Sequence, residues 1–126
     1  MPLPRPYRVL VLGGGLPAYF EASEEEKRET FLPAFRSLLA HWEDELAARV
    51  VASFCDDVLQ VGPAEPGGWA WYLIFELDDL ETASAMMDAV RVPRGGVRLD
   101  RYLRFELRIG RPFWAREESR GSIESP

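Results

Sequence analysis

The chain has little of what most metal and nucleophilic sites are built from. Cys55 is its single cysteine and His41 its single histidine. One cysteine excludes an internal disulfide, which fits a reducing compartment. One cysteine and one histidine cannot supply a zinc ligand set, and no H-x-x-x-H spacing exists. Asp56 and Asp57 follow Cys55 directly. Negative neighbours disfavour a thiolate, so this thiol is a poor nucleophile. No serine has a histidine at motif spacing, which leaves hydrolase chemistry without support. No apolar run approaches the ~20 residues of a membrane span. Met1 to Tyr7 holds three prolines and no apolar core, so it does not read as a signal peptide. Positive charge is also short: 15 Lys and Arg against 21 Asp and Glu give a net charge of −6. The balance is uneven. Residues 1–90 carry 6 basic and 16 acidic side chains, whereas residues 91–126 carry 9 and 5. A chain that repels phosphate overall is not expected to bind nucleic acid.

What is present reads as one domain over residues 1–126, with a body over 7–114 and a flexible C-terminal tail over 115–126. Chains of this length bury a core without disulfide or metal staples. The central element is Trp69 to Leu77, an aromatic and β-branched run between Gly67-Gly68 and Asp78-Asp79. Alternation puts Trp69, Trp71, Leu73, Phe75 and Leu77 on one face, and Ala70, Tyr72, Ile74 and Glu76 on the other. Apolar residues on both faces predict a central strand. Tyr7 to Leu12 is a second central strand, closed by Gly13-Gly14-Gly15, which reads as a strand-exit loop. Gly13 to Ala18 formally fits G-x-G-x-x-A, but Pro17 delays the helix that a dinucleotide site needs.

Ser23 with Glu26 forms a capping box. Phe31, Phe35, Leu38, Leu39, Trp42 and Leu46 then recur at helical spacing. Pro33 either kinks this helix or opens a second one in its first turn. Arg49 to Asp56 is a strand, which Val58 to Val61 extends if a bulge or turn intervenes. Asp78 or Asp79 caps a helix with Leu80, Ala83, Met87 and Val90 as its buried stripe. Tyr102 to Ile109 alternates cleanly: Leu103, Phe105, Leu107 and Ile109 against Tyr102, Arg104, Glu106 and Arg108. The order is β-α-β-β-α-β, the α+β ferredoxin-like arrangement, with both helices on one sheet face. The other face is too apolar in its centre to stand bare in water. A second copy of the sheet would cover it across a two-fold axis. The expected assembly is a homodimeric α/β barrel around a small-molecule pocket.

Val61-Gly62-Pro63, Trp69, Tyr72-Leu73-Ile74, Asp79-Leu80-Glu81 and the run Tyr102 to Pro112 resemble the IacB-like proteins. These are small ferredoxin-like proteins of bacterial clusters for indole-3-acetic acid breakdown. The resemblance spans about Tyr7 to Glu117 and is most specific in the last strand with its Gly110-Arg111 ending. It implies a cytoplasmic role on an aromatic compound, shared in shape with cofactor-free monooxygenases and small isomerases and cyclases. It hands over no catalytic set.

The residues themselves suggest candidates. Arg104, Glu106 and Arg108 alternate on one strand face, either as a solvated edge row or as a cavity wall. An arginine there could fork onto a ligand carboxylate, with Arg104 favoured over Arg108. Glu106 is a candidate base, opposed by its flanking arginines. Tyr72 either satisfies its hydroxyl in the core or orients a substrate and donates a proton. Tyr72 and Glu106 are therefore the catalytic candidates. Arg104, Arg108, Glu76, Tyr102, Trp71 and Tyr19 are the ligand-binding candidates, Tyr19 as a roof with Phe20. The expected partners are a small aromatic ligand and a second copy. No cofactor, metal, nucleic acid or membrane is expected. A non-catalytic ligand-binding or accessory protein of the same shape is the alternative.

Overall fold

The computed structural model describes residues 6–59, 61–62, 69–111, 113 and 115. Four strands form one antiparallel sheet: β1 (Tyr7–Gly15), β2 (Arg49–Cys55), β3 (Trp71–Leu77) and β4 (Leu103–Gly110). Their order across the sheet is β2-β3-β1-β4. The two strands with apolar residues on both faces are thus the central pair, as the alternation requires. This α+β arrangement is compatible with a ferredoxin-like fold. Among the described residues no helix is long and apolar enough to cross a membrane.

Between β1 and β2 the chain forms α1 (Pro17–Glu21) and then one long helical segment from Glu24 to Glu45. Ser23 starts it, its Oγ accepting from the Glu26 N–H at 3.0 Å. The segment runs α2 (Glu24–Glu26), a π-helical turn at Lys27–Phe31, α3 (Leu32–Ala40) and a second π-helical turn at His41–Glu45. Pro33 explains the first wide turn. Its ring would clash with the carbonyl four residues back. The helix opens just before it, and the Leu32 N–H donates to Lys27 O instead. Pro33 then fits into the first turn of α3. The segment ends at Ala47, which holds a left-handed φ of 57°. α4 (Leu80–Val90) is capped by Asp79, whose Oδ1 accepts from the Glu81 N–H at 2.8 Å. A short α5 (Leu99–Tyr102) leads into β4.

One sheet face meets these helices. Val9, Val11, Phe75, Leu77 and Leu103 pack against Phe31, Ala34, Leu38, Trp42, Ala83 and Met86 in a single core. Trp42 sits at its centre, fully buried, and its Nε1–H donates to Met86 O at 3.0 Å. In α4 the buried methionine is Met86; Met87 is half-buried and Leu80 exposed. The stripe therefore sits one residue off the expected Leu80 and Met87, because α4 packs on the sheet through Ala83, Met86, Ala89 and Val90.

Two expectations about the sheet need correction. Gly13, Gly14 and Gly15 are not a loop but the last residues of β1, paired with β4 at Phe105, Arg104 and Leu103. Gly13 has no side chain because the Trp71 indole lies across it: a Cβ built there falls within the ring. β2 ends at Cys55, and Val58, Leu59 and Val61 do not extend it; Gln60 lies outside the described residues. The C-terminal tail over 116–126 and Trp114 lie outside the described residues.

Candidate functional site

The second face of the sheet carries the polar groups singled out by alternation. In β1 it presents Arg8, Leu10, Leu12 and Gly14. β3 adds Tyr72, Ile74 and Glu76, and β4 adds Arg104, Glu106 and Arg108. Across the sheet from these, β2 contributes Arg49, Ala52 and Phe54. Leu12 is only 4% exposed yet is not part of the core cluster on the helix side. Its cross-strand neighbours are Tyr72 and Glu106. Leu10, Ile74 and Ala52 are half-buried around it. Phe54 is 52% exposed, and its ring stands 5.0 Å from that of its cross-strand partner Tyr72. The centre of this open face is therefore aliphatic and aromatic.

Charges ring that centre and are paired with one another. Arg8 Nη2 lies 3.0 Å from Glu76 Oε1, and Arg49 Nη2 lies 4.0 Å from Glu76 Oε2. Arg49 also forks onto Asp78 through two bonds of 3.0 Å. Arg108 Nε–H donates to Glu106 Oε2 at 2.7 Å. The Tyr72 hydroxyl donates to Asp56 Oδ2 at 2.9 Å. That bond to a carboxylate, helped by burial, raises the Tyr72 phenol above its ordinary pKa. The phenol thus stays protonated at neutral pH, with its proton engaged by Asp56. Glu106, with its carboxylate engaged by Arg108, is poorly placed as a base.

Arg104 stands at the end of this face, its guanidinium 4.3 Å from the centre of the Trp69 ring. Such a stack fixes the plane of the guanidinium. Trp69 was expected beside Trp71, and this is corrected. Regular pairing ends at Trp71, and the Ala70 N–H donates back to Gly13 O at 2.7 Å. The alternation therefore does not reach Trp69.

Of the sequence candidates, Tyr72, Glu76, Arg104, Glu106 and Arg108 share the open face. The other three do not belong to it. Trp71 lies on the helix side, its ring 5.2 Å from Phe35 and 5.6 Å from Phe105. Tyr102 precedes β4 and is 8% exposed in the core. It stacks near Phe31 at 5.6 Å, and its hydroxyl donates to Glu26 at 3.1 Å. The helical turn of α5 breaks the alternation that would have put it beside Arg104. Tyr19 packs in α1 against Phe31 at 5.1 Å, under the Lys27 ammonium. It covers the helix-side core, not the open face.

Sequence reasoning missed Asp56, Phe54, Arg8 and Arg49. The signal was cross-strand pairing. Arg8 and Arg49 are both register partners of Glu76, and opposite charges favour such positions. Among the described residues no three His, Cys, Asp or Glu side chains converge where a metal could sit. No protein-family model, no curated protein and no solved structure matches this chain.

Proposed function

We propose that this chain binds a small aromatic molecule on the open sheet face, closed over by a second copy in a dimeric α/β barrel. In this reading it is a small cytoplasmic, cofactor-independent enzyme of the oxygenase, isomerase or cyclase type. The observation that carries it is an apolar sheet centre, Leu10, Ile74 and the Phe54–Tyr72 pair, ringed by arginines. Exposed apolar area of this kind calls for a partner surface. The same holds for β2 and the segment after it, where Val58, Leu59 and Val61 are 91%, 77% and 87% exposed. A flat aromatic ligand would lie on Leu10 and Ile74 against Tyr72, with its anionic group toward Arg104. The Tyr72–Asp56 pair would supply the proton donor. The resemblance to the IacB-like proteins suggests a compound related to indole-3-acetic acid.

A second reading is a non-catalytic binding or accessory protein of an aromatic-compound pathway. It is favoured by the pairing of Glu76, Glu106 and Asp56, which leaves no unengaged carboxylate on these strands. Light scattering at micromolar concentration should give about twice 14.3 kDa. Titration with indole-3-acetate, followed by tryptophan fluorescence, should saturate, and Arg104→Lys should bind more weakly because lysine lacks the planar fork. Turnover of that acid or of a ring-hydroxylated analogue selects the enzyme; binding without turnover selects the second reading. A monomer that binds no aromatic acid overturns both.

A further inference from the structure

The layer of helices carries a second concentration of chemistry, unrelated to the open sheet face. Residues 91–101 hold four arginines, Arg91, Arg94, Arg98 and Arg101, against one acid, Asp100. This is the reverse of the balance elsewhere in a chain of net charge −6. Asp100 is already taken by Arg98, through bonds of 2.8 and 3.2 Å. The side chains of Arg94 and Arg101 make no hydrogen bond or ion pair among the described residues.

The backbone holds these arginines in place. Arg94 and Val97 exchange two hydrogen bonds, of 2.8 and 3.0 Å, around Gly95 and Gly96. Both glycines have positive φ, 59° and 80°, which is the tight turn that only such residues enter readily. The turn faces the long helical segment across a hollow of about 400 Å³, with Thr30, Pro33, Ala34 and Ser37 on one wall and Arg94 and Val97 on the other. Thr30 and Val97 also border a neighbouring hollow of about 350 Å³, which Arg98, Arg101 and Tyr102 line. The two hollows adjoin at Thr30 and Val97 as a groove, with Arg94 lining one and Arg101 the other. Arg94 Nε is shut off from solvent and has no acceptor among the described residues. A guanidinium cannot shed its proton, so Arg94 keeps its charge beside the hollow that it lines.

We infer that this groove is an oxyanion site, which takes a phosphate or carboxylate group between Arg94 and Arg101 over Thr30. Arg94 donates through its guanidinium where it lines the hollow, Arg101 supplies the second charge and the Thr30 hydroxyl donates from the groove wall. Two carboxylates stand near. Glu29 borders the first hollow but is exposed and 3.8 Å from Arg28, and Glu26 is engaged by Tyr102. Charge-assisted bonds of this type are short and strong where solvent is partly excluded.

Amide spectra of ¹⁵N-labelled protein test it with two probes, inorganic phosphate and malonate, each against chloride at matched ionic strength. Saturable shifts at Thr30, Gly95 and Gly96 are expected with at least one probe. Whichever probe saturates shows whether the site prefers phosphoryl or carboxyl oxygens. Arg94→Gln and Arg101→Gln should each weaken the binding at least tenfold, and Arg111→Gln, outside the groove, should leave it unchanged. Arg94→Lys is the second variant: it keeps the charge but lacks the planar fork, and it too should bind more weakly than wild type. Shifts that never saturate, or that persist unchanged in Arg94→Gln, would mean diffuse screening by counter-ions and overturn the site. The open-face ligand titration does not depend on any of these residues, so the two readings fail separately.

Discussion

Adding one methyl group at Gly13 tests the packing logic of the sheet. The Cβ of Gly13→Ala falls inside the Trp71 indole, so the ring must move. Moving it disturbs two aromatic pairs, with Phe35 at 5.2 Å and Phe105 at 5.6 Å. Overpacking a filled site costs ~1–3 kcal/mol, and each ring pair is worth ~0.5–1.5 kcal/mol. Against this, alanine loses less entropy on folding than glycine, which returns ~0.4–1 kcal/mol. The net expectation is a loss of about 2–4 kcal/mol, because both ring pairs depend on one indole position. With a urea m-value of ~1–3 kcal/mol/M, the midpoint should fall by roughly 1–2 M. Gly110→Ala is the internal control. Nothing lies within 4 Å of a Cβ built there, and its φ is not in the left-handed region. It should be neutral or gain ~0.4–1 kcal/mol. The double variant Gly13→Ala/Trp71→Leu should recover part of the loss, which a double-mutant cycle reads as coupling. If Gly13→Ala unfolds at the wild-type midpoint, the glycine is not there to admit the indole, and the reasoning fails.

Other outcomes follow from single contacts. Trp42→Phe removes the indole donor to the Met86 carbonyl, which keeps its place in the α4 ladder, and should cost ~0.5–1.5 kcal/mol in urea unfolding; a change under a few tenths refutes the bond's role. Ala47→Gly relieves a left-handed φ of 57° and should stabilise by about 0.5–1 kcal/mol, since the strain of ~1–2 kcal/mol exceeds the entropy lost to glycine. Burial first, and then the bond to Glu26, raise the Tyr102 phenol above its ordinary 10.0. A raised folded pKa means that its stability is full below pH ~10 and is lost as pH rises through the folded value. The ultraviolet titration of wild type minus Tyr102→Phe should therefore be centred above 10, and a midpoint at or below 10 would contradict the assignment.

Much of the fold is legible because its signals are local. Alternation in Trp71 to Leu77 and Leu103 to Ile109 depends only on the strand period. Ser23 and Asp79 cap helices through bonds to residues two or three positions on. What stays hidden depends on register. Tyr72 meets Asp56, and Glu76 meets Arg8 and Arg49, only because β3 lies between β2 and β1 in one particular pairing. Tyr102 looked like the first residue of its strand, and one turn of helix carried it into the core. Pro33 also could not be resolved in advance. A wide helical turn that absorbs it leaves no mark in the hydrophobic pattern.

The strand order also governs when the sheet can form. β1 is the first strand made, and its neighbours are β3 and β4: Tyr7 pairs with Leu77, and Arg8 with Gly110. A nascent chain that has emerged only through Cys55 contains β1 and β2, which do not touch in the finished sheet. It can form the Glu24 to Glu45 helix but no strand pair of the native ladder. Pairings so distant along the chain close late and slowly. Until β3 arrives, the apolar β1 waits with both edges unpaired, in the condition that invites aggregation or chaperone capture.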